Sequence, residues 1–242
     1  MSTTISPRLS YILTAICGIV GAISLSVSFS INPAPPASLT VQQVLVWGAQ
    51  HKTLISAGAW LQAFGSLLEI IFMLSIITLS NATKRLSSLI VIFSATAIMG
   101  VSLTEIAFYL SAVTSGVKGD LTMLSVSLNL IQAVQHAYVI APAPANLLAL
   151  GFLFLGSDIL PRTQLRVTAY VAMTLGVALG ILGLIGTFVP MQQFIDDVLS
   201  VQEVWYLAVS IALTVTSRKI ASKTAANGQG ALTQQATIIA QH

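Results

Sequence analysis

The chain has 242 residues, 55% of them strictly hydrophobic and 7% charged, with a net charge of +3 and a mean hydropathy of +0.90. An ordinary soluble domain is about 25% charged, so 10 basic and 7 acidic side chains cannot cover a water-facing surface of this size. Composition therefore excludes a soluble globule and makes lipid the solvent. The single cysteine, Cys17, excludes a disulfide framework and a Cys-based metal site within one chain.

In hydrocarbon every backbone N–H and C=O must be paired internally, so long apolar runs are helices or closed barrels. The runs here are about twice the length of a barrel strand and do not alternate. They predict an all-α, polytopic membrane protein with six transmembrane helices.

The first predicted span, 11–31, is too long for a typical signal-peptide core and about right for a membrane crossing. The loop after it is the longest. Its prolines predict an extended start, and Ser38 or Thr40 is placed to cap a short helix through Trp47. Val41, Val44, Leu45 and Gly48 share one face of that helix, and Trp47 suits a membrane–water interface. The second and third spans are 54–79 and 86–112.

The fourth, 121–156, is long for one straight crossing at 1.5 Å per residue. It contains Pro142 and Pro144, each of which removes a backbone donor and crowds the preceding turn. A kink or break is expected there. The fifth span, 167–188, carries Gly176, Gly180, Gly183 and Gly186, which permit close helix approach, expected within the subunit rather than between copies. An outer loop with Gln192, Gln193, Asp196 and Asp197 leads to the sixth span, 199–216. Residues 1–217 thus form the membrane domain, and 218–242 read as a disordered tail.

Arg8, Lys84, Arg85, Arg162, Arg166, Arg218, Lys219 and Lys223 fall on one side of this arrangement, and Lys52 and Lys118 on the other. The positive-inside rule then puts the N- and C-termini in the cytoplasm. The basic residues sit in connecting segments, so no nucleic-acid partner is expected.

An ionised carboxylate at the bilayer centre costs roughly 3 kcal/mol. It must face the bundle interior, pair, or stay protonated. Glu69 lies in the second span about 15 Å from its cytoplasmic end, close to the midplane, and Glu105 in the third lies about 30 Å up. Asn129, Gln132 and His136, spaced 3 and 4 apart, share one face of the fourth span. His136 has nearly the height of Glu105, which allows a Glu105–His136 pair with Glu69 below it. Glu203 opens the sixth span, at mid-depth or at the outer headgroup level. Glu69, Glu105, Asn129, Gln132, His136 and Glu203 are therefore the candidate lining of a polar track opening outward. The bland counterpart is interhelical hydrogen bonding, worth about 0.6–2 kcal/mol per contact.

No predicted span contains a lysine, which excludes a retinal Schiff base. No histidine pair is available for bis-His haem, and no nucleotide, zinc-protease or nucleophile motif occurs in a fitting context. No catalytic or metal-binding residue is assigned, and a cofactor is left open.

The stretches LISAGAWLQAFGSLLEIIFMLSIITL (54–79) and LLALGFLFLGSDILPRTQLRV (147–167) resemble the bacterial integral-membrane family called domain of unknown function 4386. The resemblance covers most of the chain up to Phe188. It implies six spans and a bacterial cytoplasmic membrane, and lends no activity or catalytic residue to any position. Three functions follow as expectations: passage or binding of a small solute, lipid or proton; a structural subunit with a membrane-protein or homo-oligomeric partner; or an enzyme using His136 with a carboxylate.

Overall fold

The computed structural model describes residues 6–32, 39–189 and 192–239; for residues 7, 41, 192–193, 195–196 and 220–239 it describes the backbone alone. The prolines of the first loop, Ser38, His242, and the side chains of Gln192, Gln193, Asp196 and Lys223 lie outside what is described. The described residues form helices α1 (Pro7–Ile31), α2 (Val41–Gln50), α3 (Lys52–Leu79), α4 (Leu86–Lys118), α5 (Leu121–Ile140), α6 (Pro142–Leu155), α7 (Arg162–Gly186) and α8 (Gln192–Ile239), with no strand among them.

Among the described residues, six stretches are long and apolar enough to cross a membrane: Arg8–Ile31, Lys52–Leu79, Leu86–Lys118, Leu121–Leu155, Arg162–Gly186 and Asp197–Lys219. This is the architecture of a polytopic membrane protein. The third reaches Lys118 instead of stopping at residue 112, and α7 starts at Arg162 instead of residue 167. The helical backbone of α8 continues past the apolar stretch to Ile239, through most of the segment whose polar composition reads as disordered.

Local chemistry sets the turns. Thr40 caps α2 through a capping box with Gln43, satisfying backbone donors that the first turn leaves unpaired. Gly119 takes φ +78° at the end of α4, where a side chain would be strained. Asp120 then caps α5 by accepting from the Met123 amide at 3.0 Å. That two-residue turn makes α4 and α5 antiparallel neighbours. Arg85, at the α3–α4 turn, donates to the Gly156 carbonyl after α6, so two basic loops are tied together at one end of the bundle.

α5 stops at Ile140 and α6 begins at Pro142, with Ala141 between them at φ −132°, ψ −65°. α7 packs against this interruption. A Cβ at Gly176 would meet the Pro144 carbonyl at 3.0 Å, and one at Gly183 the Val139 carbonyl at 3.0 Å. Gly176 and Gly183 thus serve contacts inside the subunit. α6 is the central element: Leu147, Leu150, Leu153 and Phe154 have no measurable exposure, and neither have Phe72, Ile76, Val91 and Leu213 around them. This dry core fills the half of the bundle nearest the basic loops. The other half holds a cavity.

Candidate functional site

The polar groups of the cavity follow helical periodicity on each wall. α3 contributes Gln62, Ser66 and Glu69, at i, i+4 and i+7, a rise of about 10 Å along one face. α4 contributes Ser102 and Glu105, three residues apart. α5 contributes Gln135, His136 and Tyr138, and α8 contributes Ser200 and Glu203. These groups, with apolar neighbours from α1, enclose about 370 Å³. Ligand pockets run from about 300 to 1,000 Å³, so the space suits a small molecule.

Every glutamate of the chain lines this one cavity. Glu69, Glu105 and Glu203 are 5%, 8% and 7% exposed, and they come from three different helices. No lysine or arginine is among the lining residues.

The upper and lower carboxyls differ in their partners. Glu105 accepts from Gln62 Nε2 at 2.6 Å and from Gln135 Nε2 at 2.7 Å, one amide to each oxygen. These contacts tie α3, α4 and α5 at that height. Deeper in, Ser66 and Ser102 pair at 2.9 Å. At the floor, Glu69 on α3 and Glu203 on α8 line the same space. Glu69 Oε1 and Glu203 Oε2 are buried and receive no hydrogen bond from any described donor group.

Beside this floor, Asn146 on α6 donates to Tyr206 Oη at 3.2 Å and to Met73 Sδ at 3.0 Å, and accepts from Ser94 Oγ at 3.1 Å. Gln202 Nε2 donates to Tyr138 Oη at 3.2 Å and bridges α8 to α5. The cavity opens at the end away from the basic loops, where its lining turns more exposed at Phe29, His136 and Ser200.

The structure brings together four of the six candidates, Glu69, Glu105, His136 and Glu203. Glu203 sits in the cavity wall. Asn129 and Gln132 are exposed and are not part of the site. The inward face of α5 is the one through Leu124, Ser127, Ile131 and Val139, all buried. That face carries Gln135 beside the cavity and turns Asn129 and Gln132 outward.

The Glu105–His136 pair does not form, because Gln135 occupies the place beside Glu105. His136 Nε2 instead meets Thr187 Oγ1 at 3.2 Å, at the end of α7. Gln62, Ser66, Ser102, Gln135 and Tyr138 are site residues that composition alone did not single out. The signal was present for two of them: Gln62–Ser66–Glu69 is a polar stripe at helical spacing on an otherwise apolar helix. Among the described residues, no three His, Cys, Asp or Glu side chains converge as a metal-ligand set. No family model matches this chain, and neither the curated proteins nor the solved structures compared with it give a match.

Proposed function

We propose that this membrane protein binds a small solute in the cavity between α3, α4, α5 and α8 and passes it across the membrane. The observation that supports this is the convergence of all three glutamates on one space. Membrane-buried carboxyls are costly and are retained where they line a path or a site. Random interhelical polar contacts would scatter them.

The basic loops face the cytoplasm in this reading, following the positive-inside rule, and the cavity opens to the opposite side of the cell membrane. The outward apolar surface is lipid-facing: Phe93, Leu86, Leu184 and Val204 are 78%, 72%, 65% and 64% exposed. Pro142 and Pro144, next to the interruption at Ala141, supply a bend in the fourth span on which a second, inward-open arrangement would turn.

Thiol accessibility tests the cavity. In a chain with Cys17→Ala, Ser66→Cys and Ser102→Cys react with a small water-soluble methanethiosulfonate added to the side opposite the basic loops. Val209→Cys, in the dry core, does not. Ser66→Cys and Ser102→Cys as inert as Val209→Cys would remove the basis of the proposal.

A further inference from the structure

At the floor of the cavity two buried carboxyl oxygens lack a donor. Glu105 has an amide N–H on each oxygen. Glu69 and Glu203, equally buried, each retain an oxygen that no described group of the protein donates to. A buried acceptor without a partner costs about 1–3 kcal/mol, and more when charged. The deficit points to the chemistry that would relieve it: a positively charged group rich in N–H.

Other ligand classes fit poorly. A carboxylate or phosphate would meet three carboxyls and no lysine or arginine. A bare divalent cation needs about six or more oxygens around it, and no three-residue metal-ligand set exists among the described residues. An inorganic ion would also make no use of the walls. Leu25, Phe29, Met73, Ile98, Val101 and Leu199 give the cavity a mainly apolar surface, suited to an organic body.

Glu69 and Glu203, buried in the wall of one cavity with no lysine or arginine among its lining residues, are costly to ionise together; with one proton between them the pair carries a net charge of −1. We infer that this pair is the receptor for the ammonium group of a small organic amine, which binds in exchange for the proton the pair shares. The inference rests on the reading of the cavity as a solute site and names the solute's class.

The exchange balances. An R–NH3+ ion enters, the O–H bond of the pair breaks, and one H+ leaves through the open end. N–H···O contacts form to both carboxylates. The charge of the occupied site, −2 from the carboxylates and +1 from the ammonium, equals that of the empty one.

The other titratable groups around the pair are Glu105 from α4, His136 and Tyr138 from α5, and Tyr206 on α8. α1 presents Leu25 and Phe29, and α6 presents the neutral Asn146 through Tyr206. Among the described residues, no lysine or arginine side chain lines the site to replace the incoming ammonium.

Linkage fixes the sign of the pH dependence. The empty pair holds a proton that the occupied pair lacks, so amine affinity rises with pH, by about tenfold per unit while that proton is fully bound. Calorimetry on the purified full chain in nanodiscs tests this, using butylammonium, cyclohexylammonium and phenethylammonium against butanol, cyclohexanol and phenylethanol. Repetition in two buffers of different ionisation enthalpy counts protons.

The expected result is binding of at least one ammonium with about one proton released per ion near pH 7, and no binding of its alcohol. Glu69→Gln and Glu203→Gln each weaken it at least roughly tenfold, and Asn129→Ala, outside the cavity, leaves the proton count unchanged. Equal binding of amine and alcohol, binding without proton release, or no binding by any of the three amines would each overturn the inference. The wild-type comparison decides the matter even where a variant fails to fold. If amines fail while Ser66→Cys still labels, the solute cavity stands and its ligand belongs to another class.

Discussion

Glu105 shows how a carboxyl is held in an apolar bundle. Two amide side chains from different helices each supply one N–H, at 2.6 and 2.7 Å, so its oxygens keep partners without water. Gln62→Leu or Gln135→Leu strands one of those oxygens. The expected loss is about 1–3 kcal/mol, read as a lower midpoint in thermal unfolding in nanodiscs, with the double variant worse than either single. Glu69 and Glu105 could be singled out from sequence because the cost of a carboxyl in lipid is independent of its neighbours. The amides could not be sorted the same way. Asn129 and Gln132 share a helical face, and spacing defines a face without saying which face is inside. That choice is made by what packs against α5, here Ser111 against Ser127 and Val139 against Gly183.

Gly176 and Gly183 set the closeness of packing of α7 on α5 and α6. A Cβ at Gly176 or Gly183 would meet a carbonyl oxygen at 3.0 Å, which cannot move without the helix, whereas one at Gly180 would meet Pro144 at an ordinary 3.7 Å. Gly176→Ala and Gly183→Ala should each destabilise by about 1–3 kcal/mol through overpacking. Gly180→Ala should lie near wild type in the same melting experiment. At this scale the six apolar runs were plain, because lipid demands continuous apolar length. Helix ends were less so. The capping Thr40 was readable from its chemistry, but α4 runs on to Lys118 because Gly119 and Asp120, not the loss of hydrophobicity after residue 112, end it.

The whole molecule is divided across its thickness. One half is a dry core around α6, closed at its end by the Arg85–Gly156 contact; the other half contains the cavity. The alternation of six spans places the α3–α4 turn and the α6–α7 turn together, a relation the basic residues foreshadow. With Cys17 replaced, Lys84→Cys and Arg162→Cys should react with an impermeant thiol reagent from the same side of sealed vesicles, the cytoplasmic one. Labelling from opposite sides would contradict the topology. What charge counting could not foresee is the unequal filling of the two halves, which depends on the particular side chains that meet between helices.

That unequal filling bears on how the membrane potential acts. Each elementary charge moved through the full potential gains or loses about 2.3 kcal/mol per 100 mV, and in the proposed transport reading, with the cavity open to one side, most of the voltage drop would fall across the layer of Leu147, Leu150 and Phe154. A cation crossing that layer alone would feel nearly all of it. An ammonium travelling one way for each proton returning carries no net current, so the turnover would follow the two concentration gradients and be indifferent to voltage.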